Sequence, residues 1–201
     1  MIKKIIPLFL LVALLVGCSH AVRQTVTPEY YRLRPATVAL LPVSWESDAA
    51  GAKDPGVDRV FNEMVAEKVR SLGYEVTVVE EGDEKLSGQA AGDPASLATA
   101  FGADAIMYPR ITSWDTDTFV TYAAISLAAR FTLYSANGAM LWEAEYDTRA
   151  SDFTFDRTTR ELAVIEAYEP KLQRFIDIVF DTLPRNEAPK GPQKRFFDWL
   201  P

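Results

Sequence analysis

The sequence predicts an α/β fold: a mixed sheet with helices packed on it, in the order β-α-β-α-β-β-β-α. Three observations point there. Thr37-Val38-Ala39-Leu40-Leu41-Pro42-Val43 is a continuous apolar run, suited to a strand buried on both faces. Val57, Val60, Phe61, Met64, Val65, Val69 and Leu72 then recur at helical spacing until Gly73 stops the run. Asn137-Gly138 separates two stretches of alternating apolar and polar residues, which is the pattern of a β-hairpin.

The remaining elements follow in order. Asp54 and Pro55 are a cap and first-turn pair for the helix over 57–72. Tyr74 to Val79 reads as the second strand, and the charged, glycine-containing stretch 80–92 as a loop. Asp93-Pro94 opens a short helix that ends at Gly102. Three long strands are expected over Asp104–Trp114, Phe119–Tyr134 and Ala139–Arg149. A two-residue type I′ turn at Asn137-Gly138 pairs residues whose numbers sum to 275. Leu133 then faces Trp142, Phe131 faces Ala144 and Ala129 faces Tyr146, with Thr132–Glu143 and Arg130–Glu145 on the other face. Leu162, Ile165, Leu172, Phe175, Ile176, Val179 and Leu183 form the stripe of a last helix or helix pair, with Pro170 breaking or kinking it.

Composition narrows the chemistry. The 201 residues carry 28 acidic against 21 basic side chains, a net charge of −7, which argues against nucleic acid as a partner. One cysteine permits neither an internal disulfide nor a thiolate metal cluster. One histidine, His20, leaves little for nucleophilic triads or His-built metal sites. No phosphate-loop, dinucleotide, nucleophile-elbow or zinc-protease motif occurs. Trp114-Asp115-Thr116-Asp117 is the best paired-carboxylate candidate, but it lacks the glycine and the distal acid of a Ca²⁺ loop and reads as a solvated turn. No catalytic residue, metal ligand or cofactor is expected, and the chain reads as a non-enzyme; the enzymatic alternative is a carboxylate-dependent hydrolase, which requires a cleft with a carboxyl whose pKa is raised.

The first residues set the compartment. Lys3 and Lys4 precede the apolar stretch Ile5–Val16, too short to span a bilayer and suited to a signal-peptide core. Leu15-Val16-Gly17-Cys18 resembles the bacterial lipobox, which implies cleavage before Cys18 and lipid on its sulfur and new amino group. Ser19, rather than Asp, after the cysteine favours the outer membrane. Losing residues 1–17 removes two lysines, leaving 19 basic against 28 acidic side chains, a net −9.

Four segments result: a signal peptide at 1–17, a lipidated end and tether at 18–36, an α/β domain at 37–184, and a Pro/Lys-rich tail at 185–201. Pro28, Pro35 and the absence of sustained periodicity make 19–36 read as irregular. Among the aromatics, alternation turns Phe119, Phe131, Trp142 and Tyr146 inward and leaves Tyr122 and Tyr134 outward for partner contact. The tail ends Phe196-Phe197-Asp198-Trp199-Leu200, three large aromatics behind Lys190, Lys194 and Arg195. These aromatics either bind a partner or fold back on the acidic domain.

The stretches ATVALLPV, SLGYEVTVV, FGADAIMYPRITSW and ANGAMLWEAEY resemble a family of bacterial lipoproteins. Its domain is similar to the amino-terminal domain of the Tol-Pal protein TolB and to the curli-secretion lipoprotein. The resemblance covers about residues 18–184 and excludes the aromatic tail. It implies action by protein contact in export, polysaccharide secretion or cell-wall synthase activation, and it carries over no catalytic residue. The expectation is therefore a lipid-anchored protein on the periplasmic face of the outer membrane. It would bind envelope proteins as an assembly subunit of a secretion or transport complex, or regulate a cell-wall synthase. Self-association, as in the ring of the curli lipoprotein, is a further implication.

Overall fold

The apolar run at Thr37–Leu40 lies inside a seven-stranded mixed sheet, where Val38, Ala39 and Leu40 are buried. The structure is a computed structural model that describes residues 21–46, 49, 56–87, 93–116, 124–151 and 164–186. Its strands are β1 (Arg23–Val26), β2 (Thr37–Leu40), β3 (Ser44–Trp45), β4 (Glu75–Val78), β5 (Ala105–Asp115), β6 (Ala124–Ser135) and β7 (Met140–Ser151). Its helices are α1 (Pro28–Leu33), α2 (Val57–Ser71), α3 (Glu84–Ser87), α4 (Pro94–Phe101) and α5 (Val164–Phe180). The sheet order is β1-β7-β6-β5-β2-β4, and β3 pairs with β5 beyond the end of β2. Strand β2 is parallel to both β4 and β5, whereas β5, β6, β7 and β1 are antiparallel neighbours. The expected α/β class is the observed one.

One sheet face carries the main core. Phe61 of α2 and Phe180 of α5 both pack on Phe131 of β6, and Trp142 of β7 packs at a tilt against Phe180. Leu172, Phe175, Ile176, Val179 and Leu183 are buried as the helical stripe requires. Lys68 of α2 holds Asp177 of α5 and Asp181 just past its end, each at 2.9 Å, tying the two helices along their rim. Helix α4 covers part of the opposite face, where Leu97 and Ala98 meet Ala39, Leu41, Val79 and Ile106. Its ends follow the sequence: Asp93 accepts from the Ser96 N–H at 3.0 Å, Pro94 opens the first turn, and Gly102 closes it at φ 64°. Pro109 sits within a central strand because its missing N–H falls between the β2 pairing, which ends at Met107, and the β3 pairing, which begins at Arg110.

The expected tether at 18–36 is the largest correction. Arg23–Val26 adds an edge strand to β7, and Thr27 holds the next turn by donating its N–H to the Leu141 carbonyl at 2.9 Å. Pro28 occupies the first turn of α1, where no N–H is needed, rather than breaking structure. Tyr30 is buried. A four-residue edge strand and a six-residue helix are too short to show a period. The expected eight-element order accordingly gains β1, α1, β3 and α3.

The hairpin turn differs as well. Gly138 has φ 81°, Asn137 does not have positive φ, and the Gly138 N–H donates to the Ser135 carbonyl. That is a type I turn followed by a left-handed glycine, one residue longer than the expected type I′ turn. Tyr134 therefore pairs with Met140. An irregularity next to Leu133 restores the register, so Leu133–Trp142, Thr132–Glu143, Phe131–Ala144, Arg130–Glu145 and Ala129–Tyr146 pair as expected. Pro170 lies inside α5, which continues past it. Asp54, Pro55, Phe119 and Leu162 lie outside the described residues, and so does the side chain of Ile165.

Candidate interaction surface

Beyond α4 no described helix packs on the second sheet face, and its middle row crosses four strands. Arg110 of β5 stands opposite Arg130 of β6, which stands opposite Glu145 of β7, itself opposite Arg23 of β1. Glu145 holds Arg130 at 3.2 Å and Arg23 at 2.9 Å. Arg110 is exposed and forms no ion pair among the described residues. Two guanidinium groups placed directly opposite on one face repel each other unless an anion lies near, and Glu145 reaches only Arg130 of the two.

Tyr134 stands further along the same face of β6, beyond Thr132. It is half-buried and meets Tyr108 edge to face, with ring centroids 5.5 Å apart. Burial, with the Asp93 carboxylate and Tyr134 nearby, pushes the Tyr108 hydroxyl up to about 12. Tyr134 lies on the face opposite the main core, paired with Ile106 of the second core cluster, and Tyr108 meets its ring. Tyr122, Phe196, Phe197, Trp199 and Cys18 lie outside the described residues.

A second cluster joins α1, the residue leading into β4 and the segment after α5. The Tyr74 hydroxyl donates to the Pro184 carbonyl at 2.6 Å, the Tyr30 hydroxyl reaches the same oxygen at 3.1 Å, and the two hydroxyls bond each other. Burial holds both phenols above their ordinary range. Asn186 continues the docking, donating its N–H to the Leu72 carbonyl at 2.9 Å and its side-chain amide to the Gly73 carbonyl at 3.1 Å. The tail thus departs from a fixed point beside α1. This cluster is structural: every hydroxyl has a partner inside the fold.

Asp115 is exposed, and Trp114 is buried against Trp45, with ring centroids 5.8 Å apart. Among the described residues no group of three or more His, Cys, Asp or Glu side chains is placed to hold a metal ion. Among the same residues no helix is long and apolar enough to cross a membrane. The Arg130–Glu145 pair was legible from hairpin register. Arg110 and Arg23 were not, because their places depend on strand pairings with no turn between them to read.

No family model matches the chain, and no curated protein matches it in sequence. Solved structures do match it. PelC from Paraburkholderia phytofirmans, solved as a dodecamer, aligns at TM-score 0.49 and 15% identity, covering 79% of this chain and 95% of that one. Lipoprotein GNA1162 from Neisseria meningitidis aligns at TM-score 0.48 and 21% identity, over 62% of this chain and 89% of that one. The hypothetical protein CT253 from Chlamydia trachomatis aligns at TM-score 0.48 and 17% identity, over 70% and 92%.

Proposed function

We propose that this chain is a lipid-anchored envelope protein, attached through Cys18 to the periplasmic face of the outer membrane. It works there by protein contact, as an assembly subunit of a secretion or transport complex, and it associates with copies of itself. The observation that carries the reading is the N-terminal sequence: Lys3-Lys4, the apolar stretch Ile5–Val16 and Leu15-Val16-Gly17-Cys18 in succession. Two acyl chains or more on such a cysteine make a stable anchor, since each buried methylene contributes about 0.8 kcal/mol. The role is non-enzymatic in this reading, and the scarcity of histidine and cysteine supports it. Val22 packs against the core only four positions after Cys18. So short a leash favours a membrane-hugging subunit over a regulator that reaches across the periplasm.

Metabolic labelling with radioactive palmitate, followed by membrane fractionation, tests the anchor. Wild type takes up label and sediments with outer membranes, while Cys18→Ser does neither. Equal labelling of the two defeats the reading. Sedimentation velocity of residues 19–201 tests self-association, and a strict monomer at high concentration removes that part.

A further inference from the structure

Only residues 19–21 separate Cys18 from Val22, which is already packed on the core. From Cys18 to Arg23 the backbone spans at most about 17 Å. Strands β6 and β7 run on past that level. Arg23 pairs with Glu145, while the β6–β7 pairing continues to Ala124–Ser151. The further residues of β7 project about 20 Å. Strand β1 runs antiparallel to β7, so the chain enters it from the side of this projection. The projecting tongue is about as long as the leash, so the anchor keeps the tongue near the bilayer without fixing which of its faces turns to it.

Among the described residues the tongue has one covered face and one that no helix packs on. Trp114, Ile125 and Leu127 are buried on the inner side. The outer side carries Arg110, Arg130 and Arg149, level with or beyond Arg23. With Arg23 of β1 the arginines of this face number four, against the four carboxylates Asp115, Glu143, Glu145 and Asp147. The mature chain as a whole is strongly acidic, 28 acids against 19 bases. An anionic surface repels that whole, and a face whose charges balance adds nothing to the repulsion. Guanidinium groups also match phosphate geometry, and Arg110 brings one that is not paired to a carboxylate among the described residues.

We propose that the outer face of β5, β6 and β7, centred on Arg110 and Arg130, is a contact surface for anionic phospholipid headgroups. It lays the domain against the bilayer with α2 and α5 turned away. The proposal rests on the lipid anchor at Cys18.

The test uses full-length lipidated protein in vesicles of phosphatidylethanolamine, with or without phosphatidylglycerol, containing a headgroup spin-labelled lipid. Once Cys18 carries lipid, an introduced cysteine is the sole free thiol for a fluorophore. Ala128→Cys places it on the outer face of the tongue, and Glu67→Cys places it on α2. The Ala128 label is expected to be quenched several-fold more than the Glu67 label when phosphatidylglycerol is present. Arg110→Glu with Arg130→Glu, or half-molar salt on the unsubstituted face, removes the difference; the salt arm stands even if the double variant fails to fold. Equal quenching at the two sites, or a difference that survives both treatments, overturns the proposal with the anchor intact. Self-quenching of the Ala128 label, relieved by unlabelled protein, assigns the face to a second copy and also overturns it. Protein that never partitions to vesicles defeats the anchor reading and this surface with it.

Discussion

Tyr30 and Tyr74 meet hydroxyl to hydroxyl across 44 positions of sequence, and both reach the Pro184 carbonyl. The first lies in a segment whose composition suggests a tether, the second at the exit of α2, and the carbonyl just after α5. One cluster thereby pins both ends of the described chain to the domain.

Replacing either tyrosine by phenylalanine is expected to cost about 1–2 kcal/mol in urea denaturation. The double variant should lose less than the sum, since the hydroxyls share one acceptor. Additive losses would show that the two phenols act separately.

The same phenols predict alkaline sensitivity. Burial raises Tyr30, Tyr74 and Tyr108 above the ordinary tyrosine value. A raised folded-state value gives stability that is complete below about pH 10 and is lost as pH rises beyond it. The melting temperature should fall from about pH 10 upward, and Tyr74→Phe should blunt the fall. A flat profile to pH 12 contradicts it.

Asp104 predicts the acid limb. Its Oδ2 accepts the Ala36 and Thr37 N–H groups at 2.9 Å each, and its own N–H donates to Thr37 Oγ1 at 2.8 Å. Partial burial alone would raise this carboxyl, but the two N–H donors outweigh it and hold it below the ordinary value. A lowered value gives stability that is present above about pH 4 and is lost as pH falls further. Asp104→Asn should shallow that loss in an acid titration followed by circular dichroism; an unchanged acid limb removes Asp104 as its source.

Gly73 and Gly138 both have positive φ, 94° and 81°. A Cβ at Gly138 meets open space, while one at Gly73 collides with the Asn186 carbonyl. Gly138→Ala should cost about 1 kcal/mol from backbone strain alone. Gly73→Ala should cost at least about 1 kcal/mol more, unless residues 184–186 undock. Equal costs would mean that the chain end does not hold to the α2–β4 turn.

Trp142 is fully buried, and its indole N–H donates to Thr182 at 3.3 Å. Trp142→Ala should cost about 3–5 kcal/mol, against under about 1 kcal/mol for the exposed Arg130→Ala. Similar midpoint shifts for both would place the β6–β7 register in error.

Wherever a signal was local, the sequence by itself determined the outcome. Asp93, Pro94 and Gly102 set the bounds of α4 through caps that involve only their own neighbours. The stripe from Leu172 to Leu183 set the buried side of α5 and the turn that follows it. Alternation around the hairpin set which side of β6 and β7 faces the core, because a slip of one residue would turn Trp142 into water. The tertiary structure decided the rest. Edge strand β1 exists because β7 offers unpaired backbone groups, and α1 because Tyr74 and Pro184 offer Tyr30 a buried place. The turn could lengthen without moving the core, since an extra residue at Leu141 compensates and Thr27 satisfies its carbonyl. Arg110 came to face Arg130 through the pairing of β5 with β6, which no local turn chemistry encodes. Long-range pairing depends on the free energy of the whole sheet, and a window of neighbouring residues does not contain it.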